Sequence, residues 1–292
     1  MAVKPRIPRI PRFAYHGSKG KLAKHIIRLL PPSGKRFIEP FAGRGNVYFR
    51  VAQQLDYKEF WLNDHYTFRF FQALQHSMDD SVEWTLPDRS QIDKEFFEFL
   101  RQEANERIEK ENRKGASGYD RIYRPVTRPD GTKAWAVEQY PPLFVIECFL
   151  SYSGGTYKSR MKGTSEGSVS KEGFMNSVRL AYEIMQRTKP SVTYYDYKHV
   201  LLECGPSDVV YLDPPYKDAS VTAYSDKTLD HGEMMQMLLN AKFKWVLSEY
   251  ENEIYKPLTE KFGEPIRITV PKAMGISRGQ QPTAVECLWK NF

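Results

Sequence analysis

Cysteine is scarce in this chain of 292 residues: Cys148, Cys204 and Cys287 stand far apart, with no Cys-x-x-Cys pair. That pattern excludes a disulfide scaffold or a zinc ribbon and suits a reducing, cytoplasmic setting. No apolar run approaches the roughly 20 residues of a membrane span, and the first dozen residues lack the apolar stretch of a secretory signal. The six histidines, at 16, 25, 65, 76, 199 and 231, show no metal-ligand spacing, so no metal is expected. Acid is absent from residues 1–38, which carry ten cations, whereas the rest of the chain holds 33 cations against 36 acids. A cation-only arm with prolines every third residue resists helix formation and offers spaced charge to a polyanion such as a nucleic-acid backbone. Its other reading is a solvated tail. What the chain does have is core: 17 Phe, 18 Tyr and 5 Trp are too many large apolar side chains for disorder.

Periodicity gives the architecture. Residues 21–30 read as a short amphipathic helix stopped by Pro31-Pro32, and 35–39 as a strand running into Pro40-Phe-Ala-Gly-Arg-Gly-Asn46. A helix over 47–54 and a strand at 60–62, ending in Asn63-Asp64, complete a β-turn-α-β unit. The alternation resumes with strands at 192–195 and 208–212, a helix near 231–241, a strand at 245–248, and a late pair at 266–270 and 284–289. The fold expected is α/β, a mainly parallel, doubly wound sheet ending in an antiparallel hairpin.

Residues 77–190 differ in character and are expected to be an insertion, giving parts at 1–76, 77–190 and 191–292. Within the insertion, 91–113 suits an amphipathic helix capped by Asp88 or Ser90. Residues 121–128, the turn Pro129-Asp-Gly131 and residues 132–137 read as a β-hairpin bearing Arg121, Arg124 and Arg128. A loop over 151–163 interleaves Lys158, Arg160 and Lys162 with aromatic and small polar residues, a mix that contacts phosphates and stacks bases. A plain surface loop is its alternative.

The strongest local signal is Asp213-Pro214-Pro215-Tyr216 directly after the apolar strand. Two prolines break the strand and fix the backbone, so the Asp213 carboxylate and the Pro214 carbonyl can face the crevice above the sheet edge. Two acceptors suit an exocyclic amino group; accepting both N–H bonds draws the nitrogen lone pair out of ring conjugation, while Tyr216 offers a face for stacking. The second signal is Glu39-Pro40-Phe41-Ala42-Gly43-Arg44-Gly45-Asn46, where Gly43 and Gly45 should let backbone amides approach a ligand. Asp64, 21 residues beyond Gly43, stands where an acid takes ribose hydroxyls. Neither Gly-Lys-Ser/Thr nor a third glycine is present, so an adenosine-containing ligand without a pyrophosphate fits better than a phosphate cradle.

These blocks resemble the Dam-type (D12, α class) DNA adenine methyltransferases, which use S-adenosylmethionine. Residues 15–19, Tyr-His-Gly-Ser-Lys, resemble the family's N-terminal cofactor motif, residues 37–47 its glycine motif, Asn63-Asp64 its ribose acid, and Asp213 to Tyr216 its catalytic tetrapeptide. Weaker echoes are Leu247-Ser248 with His231, and the tail Ser277-Arg-Gly279 to Glu286-Cys-Leu-Trp-Lys-Asn-Phe292. The resemblance implies a Rossmann-like methyltransferase sheet carrying an inserted target-recognition domain. It places Tyr15, Gly17 and Lys19 beside the cofactor, Glu39, Pro40, Phe41, Gly43, Gly45 and Asn46 along its path, and Asp64 on its ribose. Asp196 is the candidate for the cofactor's adenine edge, with a strand-end turn as its other reading. The implied reaction is methyl transfer to the N6 of a flipped adenine in double-stranded DNA. An RNA adenine or a cytosine N4 methyltransferase, or a catalytically silent nucleic-acid-binding protein on the same scaffold, are the alternatives. The family's Arg-Tyr-Asn signature is not evident in the insertion, so no target sequence is implied.

Overall fold

The computed structural model describes residues 9–11, 13, 19, 22–64, 67–76, 126–127, 133–135, 171–217, 229–271 and 283–292. The elements, in chain order, are α1 (Ala23–Leu29), β1 (Ser33–Glu39), α2 (Tyr48–Gln54), β2 (Asp56–Asn63), α3 (Phe68–His76), β3 (Val126–Thr127), β4 (Lys133–Trp135) and α4 (Lys171–Thr188). There follow β5 (Ser191–Thr193), α5 (Tyr197–Leu202), β6 (Asp208–Leu212), α6 (His231–Leu239), β7 (Lys244–Tyr250), a 3-10 turn (Glu253–Tyr255), α7 (Lys256–Phe262), β8 (Ile266–Pro271) and β9 (Thr283–Lys290).

Seven strands form one sheet in the order β5-β2-β1-β6-β7-β9-β8. The first five are parallel; β9 runs antiparallel to both β7 and β8. This is the Rossmann-like sheet with a terminal antiparallel pair. The chain winds outward from β1 through β2 to β5, then restarts at β6 on the other side of β1. The carboxyl ends of β1 and β6 therefore lie side by side at the switch in winding direction, where ligands bind in such sheets. Their register pairs Ile38 with Val210, which puts Glu39 and Asp213 at one edge.

All five residues of β6 are buried, and β1 passes from exposed Ser33 to buried Phe37, Ile38 and Glu39. A continuous apolar run is what a central parallel strand covered on both faces requires. One face of the sheet packs a cluster that includes Ile38, Trp61, Val200, Leu212, Met234, Leu238, Trp245, Leu247, Leu258 and Trp289. Gly34 is needed on β1: a Cβ there would lie 2.7 Å from the Tyr57 ring.

The chain divides into two compact units, residues 19–68 with 188–292, and residues 1–18 with 69–187. The sheet belongs to the first. In the second, Phe13 meets Phe70 and Phe174 edge-on, with centroids at 4.7 and 6.0 Å. Along α4 the buried positions 174, 175, 178, 181, 184 and 185 follow a helical period. The expected hairpin is present as β3 and β4, antiparallel, with Val126 opposite Trp135. Helices α3, α4, α5 and α7 were not among the sequence expectations. The expected helix at 91–113, the loop at 151–163, and Tyr15, Gly17, Arg121, Arg124, Arg128, Lys158, Arg160 and Lys162 lie outside the described residues. Among the described residues, no helix is long and apolar enough to cross a membrane, and no cluster of three or more His, Cys, Asp or Glu side chains is arranged to hold a metal.

Candidate active site

The β1–α2 turn is built by its glycines. Gly43 and Gly45 have φ of 53° and 69°, the left-handed region that favours glycine. Their own amides are already engaged. The Gly43 amide donates to Asp64 Oδ2 at 2.8 Å and the Gly45 amide to the Ala42 carbonyl at 2.8 Å, so both serve the turn itself. The glycines contribute a tight path instead of free donors.

Asp64 is held just past β2. Its Oδ1 accepts the Thr67 amide at 2.7 Å, and the Thr67 hydroxyl donates to the Gly43 carbonyl, so one carboxylate ties the β2 end to the glycine turn. A carboxylate held in this way presents an acid at the end of β2, beside the glycine turn. Asn63, one residue earlier, is buried and fully committed: its Nδ2 donates to the Pro40 and Tyr195 carbonyls, both at 3.0 Å, and its Oδ1 accepts from Thr193 Oγ1 and the Tyr195 amide, both at 2.7 Å. It fastens the ends of β1, β2 and β5 to one another. Asp196, the candidate for the adenine edge, is exposed and caps α5, accepting the Lys198 amide at 2.9 Å. The rings of Phe41 and Tyr197 pack 5.4 Å apart beside it in the chain.

Glu39 ends β1 buried, and its Oε1 has no hydrogen-bond partner. Burial raises its pKa well above the ordinary range, and the charges of Asp213 and Asp64 push it further the same way. A buried, unpartnered acceptor beside two other acids calls for a positively charged or donor-rich ligand.

At the end of β6 the tetrapeptide does what its prolines suggest. Pro214 is buried and Pro215 and Tyr216 are half-buried. Lys19 Nζ lies 2.9 Å from Asp213 Oδ1, 3.5 Å from Glu286 Oε2 and 4.3 Å from the Tyr216 ring centroid. The Tyr216 hydroxyl donates to Glu286 Oε2 at 2.9 Å, and the Tyr250 ring meets Tyr216 at 4.6 Å with the planes 78° apart. Burial pushes the Asp213 carboxyl up to about 6, against the pull of Lys19 in the opposite direction. Burial, then the charge of Asp213, raises the Tyr216 phenol well above its usual range, so it stays a neutral donor. Behind it the Tyr211 hydroxyl shares a hydrogen bond of 2.8 Å with Ser248 Oγ, joining β6 to β7.

Three residues at this edge carried little sequence signal. Glu286 reaches the site because β9 pairs with β7 in a register that sets Tyr250 opposite Glu286; only the weak tail echo pointed to it. Glu249 is buried on β7, accepts the Tyr250 amide at 2.7 Å, and is pushed up to about 8 by burial, with the Tyr250 and Lys217 amides pulling the other way. His231, read from sequence as a helix-start residue, is buried with its Nδ1 at 2.6 Å from the Tyr255 hydroxyl and 3.8 Å from Glu249 Oε2.

The family model of the D12 class N6 adenine-specific DNA methyltransferases matches residues 15–264. No curated protein matches the sequence. Among solved structures, SMU.472, a candidate methyltransferase complexed with SAH, aligns over 94% of this chain at 11% identity and a TM-score of 0.35. The chain spans about half of that protein, 52% of its length. The chain belongs to the D12 class N6 adenine-specific DNA methyltransferase family.

Proposed function

From that family membership and the site's chemistry, we propose that the protein binds duplex DNA, takes an adenine out of the stack into the crevice, and methylates its exocyclic N6. The observation that carries the reading is Asp213: a carboxylate at the switch point, beside an aromatic face, already accepting an N–H donor from Lys19 at 2.9 Å. The amino group is otherwise engaged in base pairing and out of reach of the tetrapeptide, which is why the base must leave the duplex.

Residues present at the β1 and β2 ends fit S-adenosylmethionine. Glu39 offers an unpartnered buried acceptor to a cation, and Asp64, oriented by the Gly43 and Thr67 amides at the end of β2, is the acid placed for ribose hydroxyls. When bound, this cofactor supplies an activated methyl group, so the protein needs no covalent intermediate. Asp213 and the Pro214 carbonyl accept the two amino N–H bonds and turn the nitrogen lone pair toward the donor. Tyr216 holds the base plane. The amino proton is lost only after the nitrogen has attacked, and Asp213, with its pKa near 6, is ionised at neutral pH to attract the developing positive charge. The basic arm and the arginines and lysines of residues 121–162 hold phosphates, which makes DNA affinity fall steeply with salt.

The test is transfer of labelled methyl from S-adenosylmethionine by the purified protein to unmethylated duplex DNA, followed by digestion to nucleosides. Label in N6-methyldeoxyadenosine is expected. Label in N4-methyldeoxycytidine, or label only when RNA replaces DNA, would overturn the reading.

A further inference from the structure

Lys19, Asp213, Tyr216 and Glu286 bring together one ammonium, two carboxylates and one phenol within a largely buried pocket: the side chains of Lys19, Asp213 and Glu286 are 7, 19 and 11% exposed. The ammonium is nearer Asp213, at 2.9 Å, than Glu286, at 3.5 Å, and it lies over the Tyr216 ring. It therefore engages one oxygen of Asp213 and covers one face of the Tyr216 ring. A base stacked on that face with its amino group at Asp213 competes with the ammonium for the same space. A desolvated ammonium also cannot simply be released, because leaving a buried charge without a partner is strongly unfavourable. Among the described residues, the second carboxylate paired with the lysine is Glu286, and a movement of about 0.5 Å brings the lysine from 3.5 Å into normal hydrogen-bond range of it.

We propose that Glu286 is a positioning residue that receives Lys19 from Asp213 as the target amino group arrives. This rests on the methyltransferase reading above and adds to it a resident competitor for the amine site and the group that withdraws it. Glu286 Oε2 already accepts the Tyr216 hydroxyl at 2.9 Å, so the same oxygen anchors the ring on which the base stacks. The hand-over thus places the lysine charge next to the anchor of the stacking ring while Asp213 is freed. Tyr250, opposite Glu286 in the β7–β9 register and edge-on to Tyr216, braces that ring from the sheet. A base without an exocyclic amino group gains nothing from Asp213 and leaves the lysine where it is, so the exchange discriminates by chemistry as well as by shape.

The experiment is a double-mutant cycle on the full chain with Glu286→Gln, Lys19→Met and the pair, read as kcat/KM for DNA and as duplex Kd in the presence of S-adenosylhomocysteine, so that it does not depend on turnover alone. Glu286→Gln keeps an acceptor for the Tyr216 hydroxyl but removes the charge that attracts Lys19. It is expected to lower kcat/KM about tenfold, with cofactor affinity within about twofold. In the Lys19→Met background the same change should have an effect within about twofold, because there is no ammonium left to receive. Glu286→Asp, which keeps the charge, should restore most of the loss, and it serves as the second variant where the glutamine protein is too unstable to assay. An equal loss with and without Lys19, or an aspartate variant no better than the glutamine, would overturn the proposal. Wild-type protein is the control: absence of methyl transfer there defeats the methyltransferase reading itself, whereas active wild type with an uncoupled cycle defeats the hand-over alone.

Discussion

Strand β6 carries an aspartate at each end, and each has a cation beside it. Asp208 opens the strand; Arg36 of β1 grips it with two hydrogen bonds, Nε to Oδ1 at 3.1 Å and Nη2 to Oδ2 at 2.7 Å. The Gly205 amide donates to the same carboxylate at 2.8 Å, Arg36 also donates to the Glu203 carbonyl at 3.0 Å, and its guanidinium lies 5.4 Å from the Trp61 ring centroid. Charge and hydrogen-bonding capacity are closed on themselves there. Asp213 follows the other end, where, among the described residues, Lys19 is shared with Glu286, and Glu39 and Glu249 lie buried nearby with raised pKa values. The same residue type on the same strand thus makes a lock at one end and a charge deficit at the other. The deficit is what a cationic cofactor and an amino substrate complete, and it is held in place at a cost in stability that the closed end does not carry.

At the open end, replacing Asp213 and Asp64 one at a time by alanine separates transfer from cofactor binding most sharply. Asp213→Ala should lower methyl transfer by about 10²–10³-fold or more while leaving cofactor affinity within about threefold; steady-state kinetics beside calorimetric titration with S-adenosylmethionine checks this, and loss of cofactor binding would put Asp213 in a different site. Asp64→Ala should do the reverse first, weakening S-adenosylmethionine binding about 10–100-fold, since it removes the ribose acceptor and leaves the Gly43 and Thr67 amides without their partner.

Stability should move in opposite directions at the two ends. Glu249, with its pKa near 8 in the fold and near 4.5 in the unfolded chain, keeps a proton on folding that the unfolded form has lost. Its contribution is fully present below about pH 4.5 and declines as pH rises toward about 8. Glu249→Gln should therefore stabilise the protein at pH 7 by on the order of 1–3 kcal/mol and flatten that decline. Thermal unfolding across pH 5 to 9 reads this out, and a variant with unchanged slope would contradict it. Arg36→Ala, at the closed end, should instead destabilise by about 1–2 kcal/mol, discounted for the partial exposure of the arginine, and leave kcat unaltered well below the melting temperature. A change in kcat there would break the division between the two ends.

Much of the closed architecture could be read in the sequence because it is local. The apolar run 209–212, followed by Asp213 and two prolines, announced β6 and its abrupt end, and the glycine turn between a strand and a helix announced the switch-point side of β1. Helix α4 was missed, although its buried residues 174, 175, 178, 181, 184 and 185 keep a helical period among polar neighbours. The charge deficit was another matter. Glu286 lies 70 residues from Tyr216 and meets it only because an antiparallel strand folds back onto β7. The use of the Gly43 amide inside its own turn depends on where Asp64 points, which spacing alone does not fix. Buried carboxylates cannot be recognised from residue types, because Glu39 and Glu249 acquire their character from burial by strands distant in the chain.

The most direct test of the central claim is single-molecule sequencing of DNA from cells expressing the protein, beside cells expressing Asp213→Ala, reading methyladenine at every position. The account predicts N6-methyladenine, confined to one short sequence motif, in the first and none above background in the second. Unmodified adenine in both, with the wild-type protein folded and binding S-adenosylmethionine, would contradict it.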